Sequence, residues 1–199
     1  MPSGVHIHNV RGQLFAAAER VLVRDGPEAL TSRAVTEEAN CAKGVLHRHF
    51  TDFDTFLTEL ILDRVHGIED RAAVLSAAAG TGSVVENLTE ALRDLFGPVT
   101  VAIVALIIFR DGLRARLRRA GLTGIPLVMQ ATSALAAYLA AERELGRLSD
   151  DTDIDTLAPT LVGAAHLLFA DRTSAPPRTA AIRRTVNGVV AGALRPPRA

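Results

Sequence analysis

The stretch LTSRAVTEEANCAKGVLHRHF, residues 30–50, determines the fold of the N-terminal part of this chain. Thr31 or Ser32 can cap a short helix, because a hydroxyl at that position accepts a hydrogen bond from a free backbone amide. Asn40 tolerates a left-handed backbone, which predicts a tight turn after this helix. A second short helix follows the turn, and a longer helix precedes the pair. This arrangement is typical of a helix-turn-helix.

The second short helix carries the side chains best suited to reach DNA. A helix fits the major groove, and polar side chains at its tip reach the base edges. Lys43, His47 and Arg48 are predicted to face outward, and Gly44 lets the backbone approach a phosphate closely. Hydroxyls and free amides at a helix start can also hold a phosphate oxygen. The predicted DNA-binding residues are Thr31, Ser32, Arg33, Lys43, Gly44, Val45, His47, Arg48 and His49.

A longer stretch, AAAERVLVRDGPEALTSRAVTEEANCAKGVLHRHFTDFDTFLTEL at residues 16–60, resembles the DNA-binding head of the TetR (tetracycline-repressor-like) family of transcription regulators. The family pattern is an alanine-rich first helix, a G-x-x-x-L-T stretch and a helix ending in A-G-V-S-x-G-x-L-Y-x-H-F. Acidic and apolar residues then open a long helix. The resemblance implies a dimeric DNA-binding regulator, a repressor rather than an activator, that a small-molecule ligand releases from a palindromic operator.

Four positions depart from the family pattern. Asn40 replaces a glycine, which a residue tolerant of the left-handed region can do. Ala42 replaces a serine or threonine, so the cap of the recognition helix and one phosphate contact are lost. His47 replaces a tyrosine, and Phe53 replaces a lysine that the resemblance places on a phosphate. The remaining basic side chains of the recognition helix must therefore supply more of the binding.

Charge argues against an unusually strong DNA binder. The chain has 22 basic and 22 acidic side chains, and residues 1–65 carry a small excess of carboxylates. Most nonspecific affinity for DNA comes from neutralising phosphates. This weakness leaves open a helical dimer that binds an apolar small molecule with little or no specific DNA binding. The run RDGLRARLRR at 110–119 is either a second DNA patch or the solvated end of a helix.

Almost every segment between turn signals has helical periodicity, which predicts an all-α protein. Its architecture is a three-helix helix-turn-helix head plus a roughly six-helix ligand-binding and dimerisation body. We expect residues 1–52 to form the DNA-binding domain and residues 53–199 the ligand-binding and dimerisation domain. The helices are predicted over about 9–25, 32–39, 43–49, 53–78, 83–96, 98–119, 126–145, 153–172 and 177–194.

The body is rich in apolar side chains, so a ligand held inside it would be mainly apolar, because a pocket takes the character of its walls. Arg110, Gln130 and Tyr138 are the polar candidates to orient such a ligand. The same residues also fit an ordinary core. The predicted ligand-binding residues are Phe96, Ile103, Leu106, Ile107, Phe109, Arg110, Leu127, Gln130 and Tyr138.

Two apolar stripes near the C-terminus predict a dimer interface. Gly163 allows close approach on the first of the two helices, and two such helices per chain can form a four-helix bundle across a two-fold axis. A dimer would place two recognition helices in successive major grooves. The predicted interface residues are Leu157, Leu161, Ala164, Ala165, Leu168, Ile182, Val186, Val189 and Val190.

Metal binding and catalysis are weaker interpretations. His6, His8, His47 and His49 suggest a metal site, but His47 and His49 are two residues apart and point to different sides of a helix. A nucleophile paired with a base is not evident, so we predict no enzyme and no cofactor. The acidic run SDDTDID at 149–155 is typical of a capped helix start rather than of a calcium loop.

Composition favours a cytoplasmic location. A single cysteine excludes an internal disulfide and fits a reducing compartment. Met1 to Gln13 contain no apolar run of the secretory type. The most apolar stretch, Val99 to Phe109, is too short to span a bilayer.

Overall fold

A computed structural model of the chain describes residues 10–170 and 175–195, and this part forms ten α-helices and no β-strand. His6, His8 and the end of the helix predicted over 153–172 lie outside the described residues. The prediction of an all-α protein is confirmed. The helices are α1 (Val10–Asp25), α2 (Ser32–Glu38), α3 (Val45–His49), α4 (Phe53–Ala77), α5 (Val84–Leu95), α6 (Pro98–Phe109), α7 (Asp111–Arg119), α8 (Val128–Glu144), α9 (Ile154–Ala170) and α10 (Thr179–Val190).

An aromatic cluster holds the three helices of the head against the start of α4. Phe15 of α1 lies 5.8 Å from Phe50 and 5.5 Å from Phe56 of α4, measured between ring centroids. Phe50 and Phe56 meet edge to face at 5.0 Å. Pairs of this kind contribute about 0.5–1.5 kcal/mol beyond the area they bury. Phe50 directly follows α3, so the cluster fixes the position of the recognition helix.

The helix predicted over 98–119 is in fact two helices, α6 and α7, that meet at Arg110. The backbone of Arg110 is extended (φ −112°, ψ 98°), and its amide ends α6 by donating to the carbonyl of Leu106 at 3.1 Å. Asp111 then opens α7, where an acidic side chain complements the helix dipole, and the flexible Gly112 follows. Helical periodicity continued through the break, which is why the sequence did not reveal it.

Helix α6 forms the centre of the body. Its residues Val101 to Val104 are all buried, as are Leu106 and Ile107, so it is apolar around most of its circumference. Burying each large aliphatic side chain contributes about 1.5–3 kcal/mol. The long helix α4 packs on α8, α8 packs on α9, and α10 packs on α5 and α9. Helix α4 therefore belongs to the body at its C-terminal end and to the head at its start.

Among the described residues, none of the helices taken singly has the length and apolar character needed to cross a membrane, whereas α5 and α6 together, bent by 59°, meet that test of length and composition.

Candidate nucleic-acid interface and ligand clefts

The turn between α2 and α3 has the predicted left-handed residue. Asn40 has φ +50°, and its amide donates to the carbonyl of Glu37 at 3.0 Å. The amide of Cys41 donates to the carbonyl of Thr36 at 3.0 Å. These two bonds satisfy carbonyls at the end of α2 and reverse the chain toward α3. Asn40 tolerates this conformation better than most residues other than glycine.

Helix α3 begins at Val45, later than the sequence predicts. Lys43 and Gly44 lie in the preceding turn, and no side chain caps the helix at Gly44, consistent with Ala42 in place of a serine. Leu46 is fully buried, so it anchors one side of the helix on the head. The opposite surface is solvent-exposed, and we call it the recognition face. It comprises Lys43, Gly44, His47, Arg48 and His49, with Val45 half-buried at its edge.

The start of α2 supplies the second part of the predicted interface. The Oγ1 of Thr31 accepts a hydrogen bond from the amide of Ala34 at 3.1 Å, so the cap is on Thr31 and not on Ser32. The hydroxyl hydrogen of Thr31 remains able to donate, and the residue is exposed. Arg33 is exposed too, but its Nε donates to Glu37 at 2.7 Å, and this bond raises the pKa of Arg33. Arg33 therefore has to exchange partners before it can meet a phosphate.

Most carboxylates of the head that the structure pairs are bound to arginines of the same region. Arg20 and Arg24 both bond Glu38, at 2.6 Å and 2.7 Å, and together they lower the pKa of that carboxyl. Three further pairs join Arg11 to Glu59, Arg24 to Asp25 and Arg64 to Glu19. Lys43 and Arg48 have no carboxylate partner in the part of the chain that the structure describes. Uncompensated positive charge in the head is therefore concentrated on the recognition face.

Two arginines of the body, Arg110 and Arg116, contact the head, and neither contact was predicted from the sequence. The Nη2 of Arg110 donates to the carbonyl of Leu30 at 2.9 Å, and its guanidinium lies 5.7 Å from the ring centroid of Phe53. Arg110 therefore points toward the head, and the prediction that it orients a ligand in the body is wrong. Its position follows from the break between α6 and α7, which the periodicity did not show.

The second arginine is Arg116 of α7, which contacts the first turn of α4. Its Nη2 lies 3.3 Å from Asp52 and its Nε lies 3.7 Å from Asp54. The Oδ1 of Asp52 also accepts from the amide of Thr55 at 2.6 Å, so the same side chain caps α4. These hydrogen bonds, that from the Thr55 amide first, lower the pKa of Asp52. The start of α4 is thus fastened to the body by the helix α7.

Most of the predicted ligand-binding side chains are in closed core. Phe96, Ile103, Leu106, Ile107, Leu127 and Tyr138 are all at most 1% exposed. Phe109 is 58% exposed and faces away from that core, because the chain leaves α6 at this residue, so its assignment is wrong. Gln130 caps α8, since its Oε1 accepts from the amide of Leu127 at 2.7 Å. The phenol of Tyr138 accepts from Asn87 at 3.0 Å, and burial chiefly raises its pKa.

Ile103 and Leu127 do border an open space, which we call the junction cleft. It has a volume of about 240 Å³ and lies between α1, α4 and the start of α6. Glu19, Arg64, Arg71 and Asp94 supply its charged walls. A second space of about 170 Å³, the α4–α5 cleft, also includes Arg71. The sequence missed both, because Glu19 and Arg64 are far apart in the chain and carry no motif.

The predicted dimer stripes are largely internal to the single chain. Five of their residues have at most 2% exposure, because α9 packs on α8 and α10 packs on α5 and α9. These five, Leu161, Ala165, Ile182, Val186 and Val190, cannot contact a partner, and their assignment is corrected. Leu157, Ala164, Leu168 and Val189 are half-buried. The opposite face of α9 is open: Leu167 is 76% exposed, and the space beside Gly163 is empty.

The acidic run before α9 has the predicted structural role. Asp153 accepts from the amide of Thr156 at 3.1 Å and from its hydroxyl at 2.7 Å. These bonds lower the pKa of Asp153 and cap the helix.

Comparison with known proteins agrees with this geometry. Residues 14–60 match the family of bacterial regulatory proteins called the tetR family, and this range spans the helix-turn-helix. No curated protein sequence matches the chain. The resemblance seen in the sequence is confirmed for the head.

Solved structures extend the likeness to the whole chain. A transcriptional regulator from Rhodococcus sp. Rha1 is 20% identical with a TM-score of 0.69, covering 95% of this chain and 100% of that one. FadR from Bacillus subtilis in complex with stearoyl-CoA is 14% identical with a TM-score of 0.67, covering 91% and 98%. A TetR transcriptional regulator from Agrobacterium tumefaciens is 20% identical with a TM-score of 0.59, covering 93% and 94%. Likeness at these identities establishes the fold.

Proposed function

We propose that this chain, whose head belongs to the tetR family of bacterial regulatory proteins, is a dimeric transcriptional repressor that a mainly apolar small molecule releases from a palindromic operator. The observation that carries the proposal is the recognition face. Its Lys43 and Arg48 are exposed and have no carboxylate partner among the described residues, whereas the head's other arginines are ion-paired.

The recognition face suits a shallow but specific contact with the major groove. Arg48 can donate two hydrogen bonds to a guanine edge or to a phosphate, and Lys43 acts as a point charge. His47 and His49 add donors at the same exposed surface. Each phosphate that the protein neutralises contributes roughly 0.9 to the slope of log affinity against log salt. With few free cations, we expect a small slope and a larger share of the specificity from base contacts.

Dimerisation is proposed through the outer faces of α9 and α10. The exposed Leu167 and the open space beside Gly163 give α9 an apolar surface with room for a second helix. Two such faces related by a two-fold axis would make a self-complementary interface. The two recognition helices would then read half-sites about 34–36 Å apart, which is one turn of DNA. A palindromic operator follows from that symmetry.

Ligand control is proposed to act through the joint that Arg110 and Arg116 make with the head. Arg110 lies at the junction of α6 and α7, and Arg116 lies in α7. Arg110 contacts Leu30 and Phe53, and Arg116 contacts Asp52. A ligand that favours a different position of α6 and α7 would therefore move the head. It can shift the equilibrium only as far as its affinity for the two states differs. The FadR structure with stearoyl-CoA supports an effector that includes an apolar chain.

The experiment measures binding of the protein to DNA from its own upstream region by fluorescence anisotropy at two salt concentrations. Arg48→Glu is expected to reduce specific binding more than tenfold, because it replaces an attraction to phosphate or base with a repulsion. The matched control is Arg93→Glu, the same charge change at an exposed position of α5. It is expected to change affinity little.

Equal effects of the two substitutions would show that the recognition face is assigned to the wrong surface. A protein that binds no DNA specifically even at low salt would instead favour the alternative function, a helical dimer that binds an apolar small molecule without an operator. The near-neutral charge of the head is the observation that favours this alternative.

A further inference from the structure

The junction cleft is bounded by the head on one side and by the body on the other. Glu19 of α1 forms the head wall, and Arg64, Ile68 and Arg71 of α4 form a second wall. The start of α6 forms the third, with Gly97 to Thr100 and, one turn further along, Ile103. A molecule in this space would contact both domains at once. None of the functional roles proposed above uses this position.

An ion pair crosses the cleft. Arg64 contacts the carboxylate of Glu19, and the side chain of Glu19 is only 13% exposed against 35% for Arg64. Burial raises the pKa of Glu19, and the nearby Arg64 opposes that effect. The pair is therefore held with one partner largely desolvated, and such pairs gain little net stability. A carboxylate that replaces Glu19 on Arg64 leaves a largely desolvated Glu19 without its cation, which is costly. The incoming molecule therefore has to offset this cost through its other contacts with Arg71 and the apolar walls.

Arg71 is the second cation of the cleft, and it forms no ion pair among the described residues. Its Nη1 donates to the carbonyl of Gly67 on its own helix at 2.9 Å. Asp94 lies on the same cleft but pairs with Arg93 at 3.2 Å. The N-terminus of α6 also faces this space, and Gly97 provides no side-chain cap there. Two guanidiniums and a helix start all favour an anion.

Apolar surface continues on both sides of Arg71. In the junction cleft the walls include Ile68, Ile103 and Leu127. In the α4–α5 cleft they include Leu75 and Leu95. The two spaces share Arg71 and Asp94, and their combined volume falls in the range of about 300–1,000 Å³ that small-molecule sites occupy. The arrangement is two guanidiniums with apolar surface on each side, together with the carboxylates of Asp94 in both clefts and Glu90 in the α4–α5 cleft.

We infer that the junction cleft binds a small carboxylate with an apolar tail, whose carboxylate meets Arg71 and Arg64 and displaces Glu19. The tail lies against the apolar walls of one cleft or the other. Displacement removes one of the two ion pairs between α1 and α4, that of Arg64 with Glu19, and leaves the pair of Arg11 with Glu59. The loss weakens the hold of α4 on α1 and favours a change in the orientation of the head on the body. The binding step stands by itself, and only the consequence for DNA rests on the proposed function.

The test of binding uses the full chain and sodium octanoate in isothermal titration calorimetry. Octan-1-ol and octylammonium chloride have the same tail with no charge or the opposite charge. We expect saturable binding of octanoate and at least tenfold weaker binding of the other two. Arg71→Gln should weaken octanoate binding at least tenfold, whereas Arg118→Gln, an exposed arginine of α7 remote from both clefts, should leave it unchanged. Equal binding of octanol and octanoate, or no effect of Arg71→Gln, would overturn the site.

The displacement step has its own test in Glu19→Gln, which keeps the shape of the side chain but frees Arg64 from a competing carboxylate. We expect octanoate to bind this variant more tightly than the wild type by a factor of several. Unchanged or weaker binding in a variant whose circular dichroism matches wild type would refute displacement. Octanoate that binds at Arg71 without releasing operator DNA would refute the effector role and leave the site standing. Failure to bind any DNA would refute the proposed function, while calorimetry would still decide the site.

Discussion

Helices α3 and α6 each end beside a phenylalanine and an arginine, and they use the two side chains in opposite ways. After α3, Phe50 is 3% exposed in the aromatic cluster, and Arg48 projects into solvent. At the end of α6, Phe109 is 58% exposed, and Arg110 turns inward to donate to the carbonyl of Leu30. The same residue types therefore anchor one helix through its aromatic ring and the other through its cation.

This contrast separates charge that holds the protein together from charge that is available to a partner. Arg110 and Arg116 satisfy groups of the head, so they are part of the structure between the domains. Arg48 and Lys43 satisfy no carboxylate of the described chain. Composition alone cannot make this distinction, because it counts both kinds equally. A neutral chain can thus keep a small cationic surface by pairing its other charges internally.

The largest expected effect comes from replacing the two phenylalanines, Phe50 and Phe109, by alanine. Phe50→Ala removes a fully packed ring from the cluster with Phe15 and Phe56 and should lower the free energy of unfolding by about 3–5 kcal/mol. Phe109→Ala removes a ring of the same size from an exposed site and should change it by less than about 0.5 kcal/mol. Urea denaturation followed by circular dichroism measures both.

Similar losses for the two alanine variants would contradict the comparison. A large loss for Phe109→Ala in particular would mean that a second copy of the chain covers that ring, since the single chain leaves it open. Repeating the denaturation at two protein concentrations distinguishes the cases, because only an interface makes stability depend on concentration.

The head was predictable from the sequence because its features are local. Asn40 marks the turn, Thr31 caps α2, and Leu46 and the exposed residues beside it follow from helical periodicity. Each of these depends on neighbours within a few residues. The family pattern added the function expected of such a head, and the match over 14–60 confirms the resemblance for this part of the chain. The start of α3 was missed by two residues, since the turn extends through Gly44.

The body was less predictable because its sites depend on contacts between distant residues. Periodicity identified Leu161 and Ile182 as one apolar side of their helices but could not say that this side faces the chain's own core. Arg110 was assigned to a ligand because the break after Phe109 could not be foreseen. The junction cleft depends on Glu19 and Arg64 meeting across two helices. Such pairs have no spacing that a single sequence displays.

Replacing Arg110 is expected to have an intermediate effect on the free energy of unfolding. Arg110→Ala removes a charged hydrogen bond to the Leu30 carbonyl and the stacking over Phe53, and we expect a loss of about 1–2 kcal/mol in the free energy of unfolding. Arg118→Ala is the control, since Arg118 is exposed on α7 without an ion pair among the described residues. Urea denaturation gives both values. Equal stability of the two variants would mean that Arg110 does not fasten the head.

The smallest expected effect is the pH dependence of the other contact between the domains, at Asp52. The folded protein lowers the pKa of this carboxyl below its ordinary value of 3.8, first through the hydrogen bond from the Thr55 amide and also through Arg116. A group whose pKa falls on folding adds stability above its unfolded pKa and loses it as pH drops through the folded one.

Asp52→Asn keeps an acceptor that can cap α4 but has no charge to titrate. We therefore expect the wild type to melt at a higher temperature than the variant at neutral pH, and the gap to narrow as the pH falls through 3.8 and below. Glu69→Gln, an exposed neutralisation later on α4, controls for the general effect of losing a negative charge. A gap that stays constant through this window would show that the cap, rather than the charge beside Arg116, is all that Asp52 contributes to the joint.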